Sequence, residues 1–232
     1  MIELLQAANL AKLDSVRHGF TTRQGGVSRA PFDSLNLRFD SGDDNDAVRE
    51  NFARVGAAIG VSVEQFVMTA QTHSTNVRVV RADDAGTGVV QAGFEEVDGL
   101  ITNEPGLILT AYCADCALIF VVDPVLRVVG LAHAGRVGTE AGMAHALVDK
   151  LRTEFGCMPA DLICAVSPCI CGKCYEIDIK LSNFEQLVAA GVLAENIFVS
   201  EHCTCEETER FFSYRACKGG KTGRQIGVIG LK

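Results

Sequence analysis

Apolar residues spaced as on one face of a helix predict the first element of the chain, over residues 46–59. Their intervals are four, three and four, which is the period of an α-helix with one buried stripe. The four residues are Val48, Phe52, Val55 and Ile59. Gly60 follows directly and predicts the end of this helix, because glycine readily adopts the left-handed conformation that terminates helices.

Two further segments have the helical period. The first runs over residues 139–155, and Gly156 predicts its end. The second opens with "SNFE", where Ser182 and Glu185 stand at the spacing of a capping box, and it closes at Gly191. These segments bring the predicted helices to three.

Apolar runs of strand length lie between these helices and predict a centre rich in β-structure. The runs are "QFVMTAQ", "NVRVVRA", "VDGLITN", "LILTAYC", "ALIFVVD", "RVVGLAHA", "LICAVS", "NIFVS" and "QIGVIGL". Several are apolar at every position, which is expected when both faces of a sheet are covered by other layers. We therefore predict a layered α/β (α+β) sandwich. The sequence has no repeat and no linker, which predicts one domain over residues 1–232.

The segment "HGFTTRQGGVSRAPFDSLNLRFDSGDDNDAV" has neither the apolar spacing of a helix nor that of a strand. Glycine, serine, aspartate and proline are closely spaced in it, which predicts a long ordered loop. Loops of this length within compact domains are either functional or plain excursions over the surface. The segment alone does not decide between these interpretations.

Charge and composition narrow the function classes. Lysine and arginine number 21 against 29 aspartates and glutamates, so the formal net charge is −8. This balance argues against nucleic acid or an anionic membrane surface as the main partner. The start of the chain does not have the pattern of a secretory signal, and no apolar run is long enough to span a bilayer, so we expect a cytoplasmic protein. In that compartment the ten cysteines indicate free thiols and metal ligands.

Candidate chemistry lies in "LILTAYCADCALIFVVDPVLRVVGLAHAG", where Asp115, Cys116 and His133 interrupt apolar strands. Burying such groups without a partner costs several kcal/mol, so each needs a hydrogen bond, a metal or a catalytic role. His73, like Cys116 and His133, stands at a predicted strand end, where distant parts of a chain can meet. Two imidazoles and a thiolate match the preferences of zinc, and three protein ligands leave the fourth position open.

Two other interpretations of these residues stay open at this stage. Each side chain can be an ordinary core or loop residue whose polar atoms are satisfied by hydrogen bonds. Alternatively, Cys116 and His133 can form the nucleophile and base of a thiol hydrolase.

Five motifs in order resemble the YfiH-like family, also called the laccase-domain or polyphenol-oxidase family. They are "HGFTTRQGGVS" with "SLNL", then "QTHSTNV", "ADC", "AHAG", and "FFSYR" with "TGRQ". The resemblance implies a sandwich similar to the catalytic domain of cytotoxic necrotizing factors, with a metal held by His73, Cys116 and His133. It also implies purine nucleoside phosphorolysis, including cleavage of methylthioadenosine, and adenosine deamination. Some bacterial members are labelled peptidoglycan editing factors.

The resemblance also supplies candidate substrate-binding and catalytic residues. It implies that Arg23, Ser28 and Asn36 bind substrate. The usual "HAGWRG" is here "HAGRVG", so the tryptophan is absent and Arg136 stands one position early, as a further substrate candidate. Asp115, beside the ligand cysteine, either carries a proton or orients a neighbouring ligand. With Cys116 and His133 it completes the candidate catalytic set.

These observations favour a zinc-dependent enzyme that phosphorolyses adenosine, inosine and methylthioadenosine and deaminates adenosine. Its partners would be small molecules, namely a purine nucleoside and phosphate. The alternatives are a copper-dependent polyphenol oxidoreductase, a hydrolase that edits peptidoglycan precursors, and a metal-binding interaction protein without catalysis. Multicopper centres need many imidazoles, often in His-x-His pairs, whereas this chain has five histidines and no such pair. Polyphenol oxidation would then be a side activity of adventitious Cu²⁺.

A second set of cysteines crowds into "SPCICGKCYEI" and "HCTC". Its members are Cys169, Cys171, Cys174, Cys203 and Cys205. Such density can form a structural zinc site. Packed free thiols, or one disulfide, explain it equally simply, and on the sequence alone we prefer that explanation.

Overall fold

Eleven strands form two sheets in the computed structural model, which describes residues 2–232. The first sheet contains β1 (Leu4–Leu5), β2 (Val16–Thr21), β3 (Phe66–Met68), β6 (Ile108–Cys113) and β11 (Gln225–Leu231). The second contains β4 (Val77–Val79), β5 (Gly99–Thr102), β7 (Ala117–Asp123), β8 (Val128–Ala134), β9 (Ile163–Val166) and β10 (Ile197–Val199). The four α-helices are α1 (Asn45–Ile59), α2 (Arg136–Glu140), α3 (Met143–Phe155) and α4 (Ile179–Ala189). Within this described part, no helix has the length and apolar character to cross a bilayer.

Both sheets are mixed, with mainly antiparallel pairs. The first has the order β1-β2-β11-β6-β3, with only β3 and β6 parallel. The second has the order β10-β9-β7-β8-β5-β4, in which the two edge pairs are parallel. The chain passes from the first sheet to the second between β6 and β7, through the short turn that carries Asp115 and Cys116.

Three layers of apolar side chains hold the sheets and helices together. Between the sheets, Leu109 and Ile229 of the first meet Leu118 and Phe120 of the second. Alternate residues of the second sheet face α3 and α4 on its other side. The outer face of the first sheet packs on α1, where Phe52 stacks edge-on against Phe66 at 5.7 Å. Strands covered on both faces explain the continuous apolar runs, and the predicted layered sandwich is confirmed.

All nine predicted strands are present, and two further strands were not predicted. β1 has only two residues, too few to give a pattern. β2 contains the beginning of the segment interpreted as a loop, so that prediction is wrong for His18 to Thr21. Arg17, His18 and the two threonines obscure the apolar positions there, although β2 pairs with β11 from Val16 to Phe20. The rest of the segment, up to Asp44, is irregular as predicted.

The predicted helix boundaries hold for α1 and need correction elsewhere. α1 begins after the cap Asp44 and ends at Gly60, whose φ is 72°. The helix predicted over 139–155 is interrupted at Gly142, where φ is 87°, so it divides into α2 and α3. α4 begins before "SNFE": the Asp178 carboxylate caps it by accepting the amide of Leu181 at 3.1 Å, so the proposed capping box lies inside the helix.

Candidate metal centre and active site

His73, Cys116 and His133 come together at one end of the sandwich. Cys116 immediately precedes β7, His133 lies near the end of β8, and His73 is in the loop between β3 and β4. Their ligand atoms all lie within 4.8 Å of one another. The two imidazole rings meet edge to face, with their centroids 5.0 Å apart. Three side chains from distant segments can thus approach one metal ion.

A buried carboxylate orients the deepest of these ligands. Asp98, just before β5, is fully buried, and its Oδ1 lies 2.9 Å from Nδ1 of His133. A neutral His133 would donate from Nδ1 to this carboxylate and leave Nε2 free as a ligand. This pairing of a carboxylate with a metal-binding histidine is common in metal sites. Asp98 was not predicted, although a carboxylate in the apolar run "VDGLITN" is the same signal that identified Asp115.

Asp98 also holds the loop that carries His73. Its Oδ2 accepts the backbone amides of Thr72 and Ser74, each at 2.9 Å, and the Ser74 hydroxyl at 2.8 Å. Burial alone would raise the pKa of Asp98, but the hydrogen bonds from His133 and this loop outweigh it and hold the pKa well below its usual range. The carboxylate is therefore ionised, and it connects two of the three ligands.

Gly135 leaves the space in which the ligands meet. A Cβ at this position would lie 2.8 Å from Cδ2 of His73 and 2.9 Å from Sγ of Cys116, closer than real Cβ atoms approach other atoms. The backbone of Gly135 is extended, with φ of −76°, so any residue could adopt it. The glycine is required because of the side chains in front of it, and this cradle fits a bound metal.

The thiol of Cys116 needs a cation to act as a ligand. Burial, followed by the nearby Asp115, raises its pKa to about 12, so the thiol is protonated when no metal is bound. A coordinated metal reverses this preference, since a ligating thiol loses its proton. Two imidazoles and one thiol in this arrangement fit a borderline-soft divalent metal.

Asp115 borders the larger of the two cavities at this site, but both of its carboxylate oxygens accept hydrogen bonds from the fold. Its Oδ1 accepts the hydroxyl of Thr204 at 2.8 Å, and its Oδ2 accepts the amide of Arg215 at 2.7 Å. Its backbone carbonyl accepts the amide of Ile170 at 2.9 Å. Because Asp115 ties two separate loops to the turn before Cys116, these contacts favour the orienting role over proton transfer.

Two cavities meet at the three ligands. The larger, of about 690 Å³, has a mainly apolar and aromatic wall that includes Ile170, Tyr175, Ile179 and Tyr214. The smaller, of about 360 Å³, is also lined by His73 and Cys116 and in addition contacts His133. Another cavity, of about 330 Å³, contains none of the three ligands. Substrate-sized space is therefore available next to the candidate metal.

Two arginines in the smaller cavity were not predicted. Arg38 lies over the ring of Tyr112 at 4.8 Å, and Arg224 lies 5.9 Å from the ring of Tyr214. Burial, and then the charge of Arg38, lower the pKa of Arg224, which places the two cations near each other. Within residues 2–232 neither pairs with a carboxylate. Arg38 directly follows the motif "SLNL" and Arg224 belongs to "TGRQ", so the resemblance to the family could have drawn attention to both.

Of the four predicted substrate residues, only Arg136 lines a cavity that contacts the candidate ligands. Arg136, the first residue of α2, lines the larger cavity and pairs with Glu140 at 2.9 Å. Arg23 lines neither cavity that contacts the ligands, because its guanidinium donates to the Asp33 carbonyl and carboxylate and to the Thr208 carbonyl.

Ser28 and Asn36 are buried outside both cavities. The hydroxyl of Ser28 accepts from Asn51 at 2.9 Å. Asn36 accepts the amide of Arg224 at 2.9 Å and donates to the carbonyl of Arg38 at 3.3 Å. Asn36 therefore positions the backbone of both cavity arginines.

The chain matches a family described as multi-copper polyphenol oxidoreductase laccase, over residues 17–184 and 176–232. Purine nucleoside phosphorylase YlmD of Geobacillus stearothermophilus is 35% identical to it, over 92% of this chain and 89% of the relative. A purine nucleoside phosphorylase of Deinococcus radiodurans is 36% identical, over 99% of this chain and 93% of the relative.

Solved structures show the same architecture. The crystal structure of YlmD from Geobacillus stearothermophilus superposes with a TM-score of 0.92 at 34% identity, covering 95% of this chain and 93% of that one. The hypothetical protein YfiH of Bacillus licheniformis superposes with a TM-score of 0.91 at 32% identity, covering 94% and 93%.

Proposed function

The chain belongs to the multi-copper polyphenol oxidoreductase laccase family, and we propose that it is a purine nucleoside phosphorylase that uses zinc. The observation that carries the proposal is the pair Arg38 and Arg224, free of carboxylate partners within residues 2–232, in a cavity that also contacts His73, Cys116 and His133. A cationic pocket beside a candidate metal suits an anionic co-substrate. Inorganic phosphate is the one that the relatives' names imply.

Zinc fits this site better than a set of copper centres. One cysteine and two histidines also suit a single copper, but multicopper oxidation requires several imidazole-rich sites. In the part of the chain that the structure describes, the other group of candidate ligands contains three cysteines and no histidine. When bound to three protein ligands, zinc supplies Lewis acidity and an open coordination position.

The two arginines account for the phosphate side of the reaction. Guanidinium groups donate paired hydrogen bonds in a fixed plane, which matches the oxygens of phosphate. In phosphorolysis a phosphate oxygen forms a bond to C1′ of the ribose while the bond from C1′ to N9 breaks. The products are ribose 1-phosphate and the purine, which takes up a proton. Arg38 and Arg224 would hold the nucleophile in place for this exchange.

The larger cavity accounts for the nucleoside. Its volume of about 690 Å³ lies within the usual range for small-molecule sites. Tyr175 and Tyr214 offer faces on which a purine can stack, and Ile170 and Ile179 complete an apolar wall. Adenosine, inosine and methylthioadenosine share the purine and the ribose carbon, so we propose all three as substrates.

Adenosine deamination is a second activity that the same site supports. It replaces the amino group on C6 with an oxygen from water and releases ammonia, so it needs no phosphate. The three-ligand arrangement, with room for water, is the observation that favours it.

Phosphate dependence tests these proposals. Purified protein would be analysed for zinc and copper, then incubated with each nucleoside, with and without phosphate. We expect zinc, and release of free base that requires phosphate and is matched by ribose 1-phosphate. Formation of inosine from adenosine without phosphate would demonstrate deamination. If zinc-loaded protein turned over no nucleoside, the phosphorylase proposal would fail, and peptidoglycan precursors would be assayed next.

A further inference from the structure

A second group of thiols lies outside the metal centre described above. The sulphurs of Cys171, Cys174 and Cys203 lie within 4.8 Å of one another. The first two are in the loop between β9 and α4, and Cys203 is in the loop after β10, so the cluster bridges two segments. It shares no residue with the group of His73, Cys116 and His133.

A backbone amide links the two loops at these sulphurs. The amide of Cys171 donates to Sγ of Cys203 at 3.4 Å. An amide that faces a sulphur in this way favours the thiolate over the thiol.

As thiolates, three sulphurs at this separation would repel one another unless a cation lay between them. A disulfide would use only two of the three sulphurs. The neighbouring Cys205, two positions after Cys203, supplies a fourth, partly buried thiol, whose sulphur lies outside the 4.8 Å group. The sequence spacings are C-x-x-C and C-x-C, and sulphur ligands from two such loops are typical of structural zinc sites.

From this arrangement we infer a structural zinc site formed by Cys171, Cys174 and Cys203, with Cys205 as the fourth ligand. Four protein ligands close the coordination shell, so this zinc takes no part in chemistry. Cys169 is excluded, because its side chain is fully buried in the apolar core beside α4 and its thiol donates to the Ile170 carbonyl.

The position of the site suggests what it stabilises. Between Cys169 and Cys171 stands Ile170, whose amide donates to Asp115, and between Cys203 and Cys205 stands Thr204, whose hydroxyl donates to the same residue. Tyr175, directly after Cys174, lines the larger cavity. A zinc here would fix the two loops that form this wall, and the inference does not depend on which reaction the cavity supports.

Zinc stoichiometry and sulphur coordination test the inference. We expect roughly two zinc ions per chain in the protein as purified, by elemental analysis, and about one in Cys174→Ser. Cys217→Ser is the matched control, because Cys217 lies outside both groups and its thiol donates only to backbone carbonyls. His73→Ala should lose the other zinc and retain this one.

X-ray absorption at the zinc edge avoids any dependence on the folding of a variant. One site with four sulphurs and one with a single sulphur average to about 2.5 sulphurs per zinc, against about one if only the first site exists. The inference would be overturned by a single zinc per chain that Cys174→Ser leaves in place. It would also be overturned if the denatured, metal-free protein had fewer reactive thiols before reduction than after, because that result would show a disulfide.

Discussion

Replacing Gly135 by alanine tests the geometry of the metal centre with one methyl group. The added Cβ would lie 2.8 Å from the His73 ring and 2.9 Å from the Cys116 sulphur. Since the backbone at Gly135 is extended, alanine brings no conformational strain of its own. Any effect must therefore come from displacement of the two ligands.

The magnitude follows from the shortfall in these distances. An ordinary contact begins at 3.4 Å, so each ligand atom must move by roughly 0.5 Å. Metal–ligand distances tolerate only about 0.2 Å, so the displaced pair can no longer satisfy one ion. Disturbing the support of a ligand typically costs 10- to 100-fold in metal affinity, and we expect at least about tenfold here. Overpacking of this kind also destabilises a fold by about 1–3 kcal/mol.

Competition with a chromophoric chelator would measure the affinity, and thermal unfolding of the metal-free proteins would measure the packing cost separately. Gly138→Ala is the matched control. Gly138 lies three residues further on, in α2, and its Cβ would meet nothing closer than the Ser74 carbonyl at 3.4 Å. Wild-type metal affinity in Gly135→Ala would refute the assignment of His73 and Cys116 to one ion.

Four further predictions concern single side chains. Cys116→Ala should lower metal content and nucleoside turnover together; full metal content by elemental analysis would remove the cysteine from the ligand set, and loss of activity alone would favour a thiol nucleophile. Asp98→Asn should weaken metal binding by about 10- to 100-fold in a chelator competition, because the amide cannot replace an ionised partner of the ligand imidazole. Arg224→Lys should raise the KM for phosphate by about tenfold, equivalent to about 1.4 kcal/mol, whereas Arg23→Lys should not; the reverse result in phosphate-dependent kinetics would return the phosphate role to the glycine loop. Burial lowers the pKa of His18, which accepts a backbone amide at 3.0 Å, so the unfolded chain binds a proton more readily and stability should fall as the pH drops below about 6.5. His18→Gln should flatten this dependence in urea unfolding at pH 7.5 and 5.5, and an unchanged slope would contradict the argument.

The strands could be predicted because burial on both faces requires an apolar residue at almost every position. β7 and β8 are buried at all seven positions each, and their sequences are apolar almost throughout. β2 was missed because the polar His18 stands between Val16 and Phe20 on its inward face, and because its place depends on pairing with β11, more than 200 residues away. The break between α2 and α3 depends on the backbone conformation of one glycine, and the spacing of apolar residues carries no information about that conformation.

The candidate ligands could be proposed from sequence for a related reason: a thiol or an imidazole among apolar strand residues needs an explanation. The residues that surround these candidate ligands could not be predicted from the sequence. Asp98 meets His133 only because β5 pairs with β8, and Arg38 meets Arg224 only because the irregular segment after β2 folds against the turn before β11. Which polar groups become neighbours is a property of the strand order, and no local pattern encodes it.

The turn between β6 and β7 shows why polar residues persist inside an apolar run. Asp115 holds an unusual backbone, with φ of 90°, and is 8% exposed, so its carboxylate would be costly without partners. Both of its oxygens are satisfied by groups from the loop that carries Thr204 and Arg215. The adjacent Cys116 points at the histidines instead. One residue thus anchors the loops and the next faces the candidate metal site, so the position of Cys116 depends on segments about 90 to 100 residues further along the chain. Substitutions in the loop around Thr204 should therefore displace Cys116 through the lost hydrogen bonds to Asp115, and not through a change in the strands.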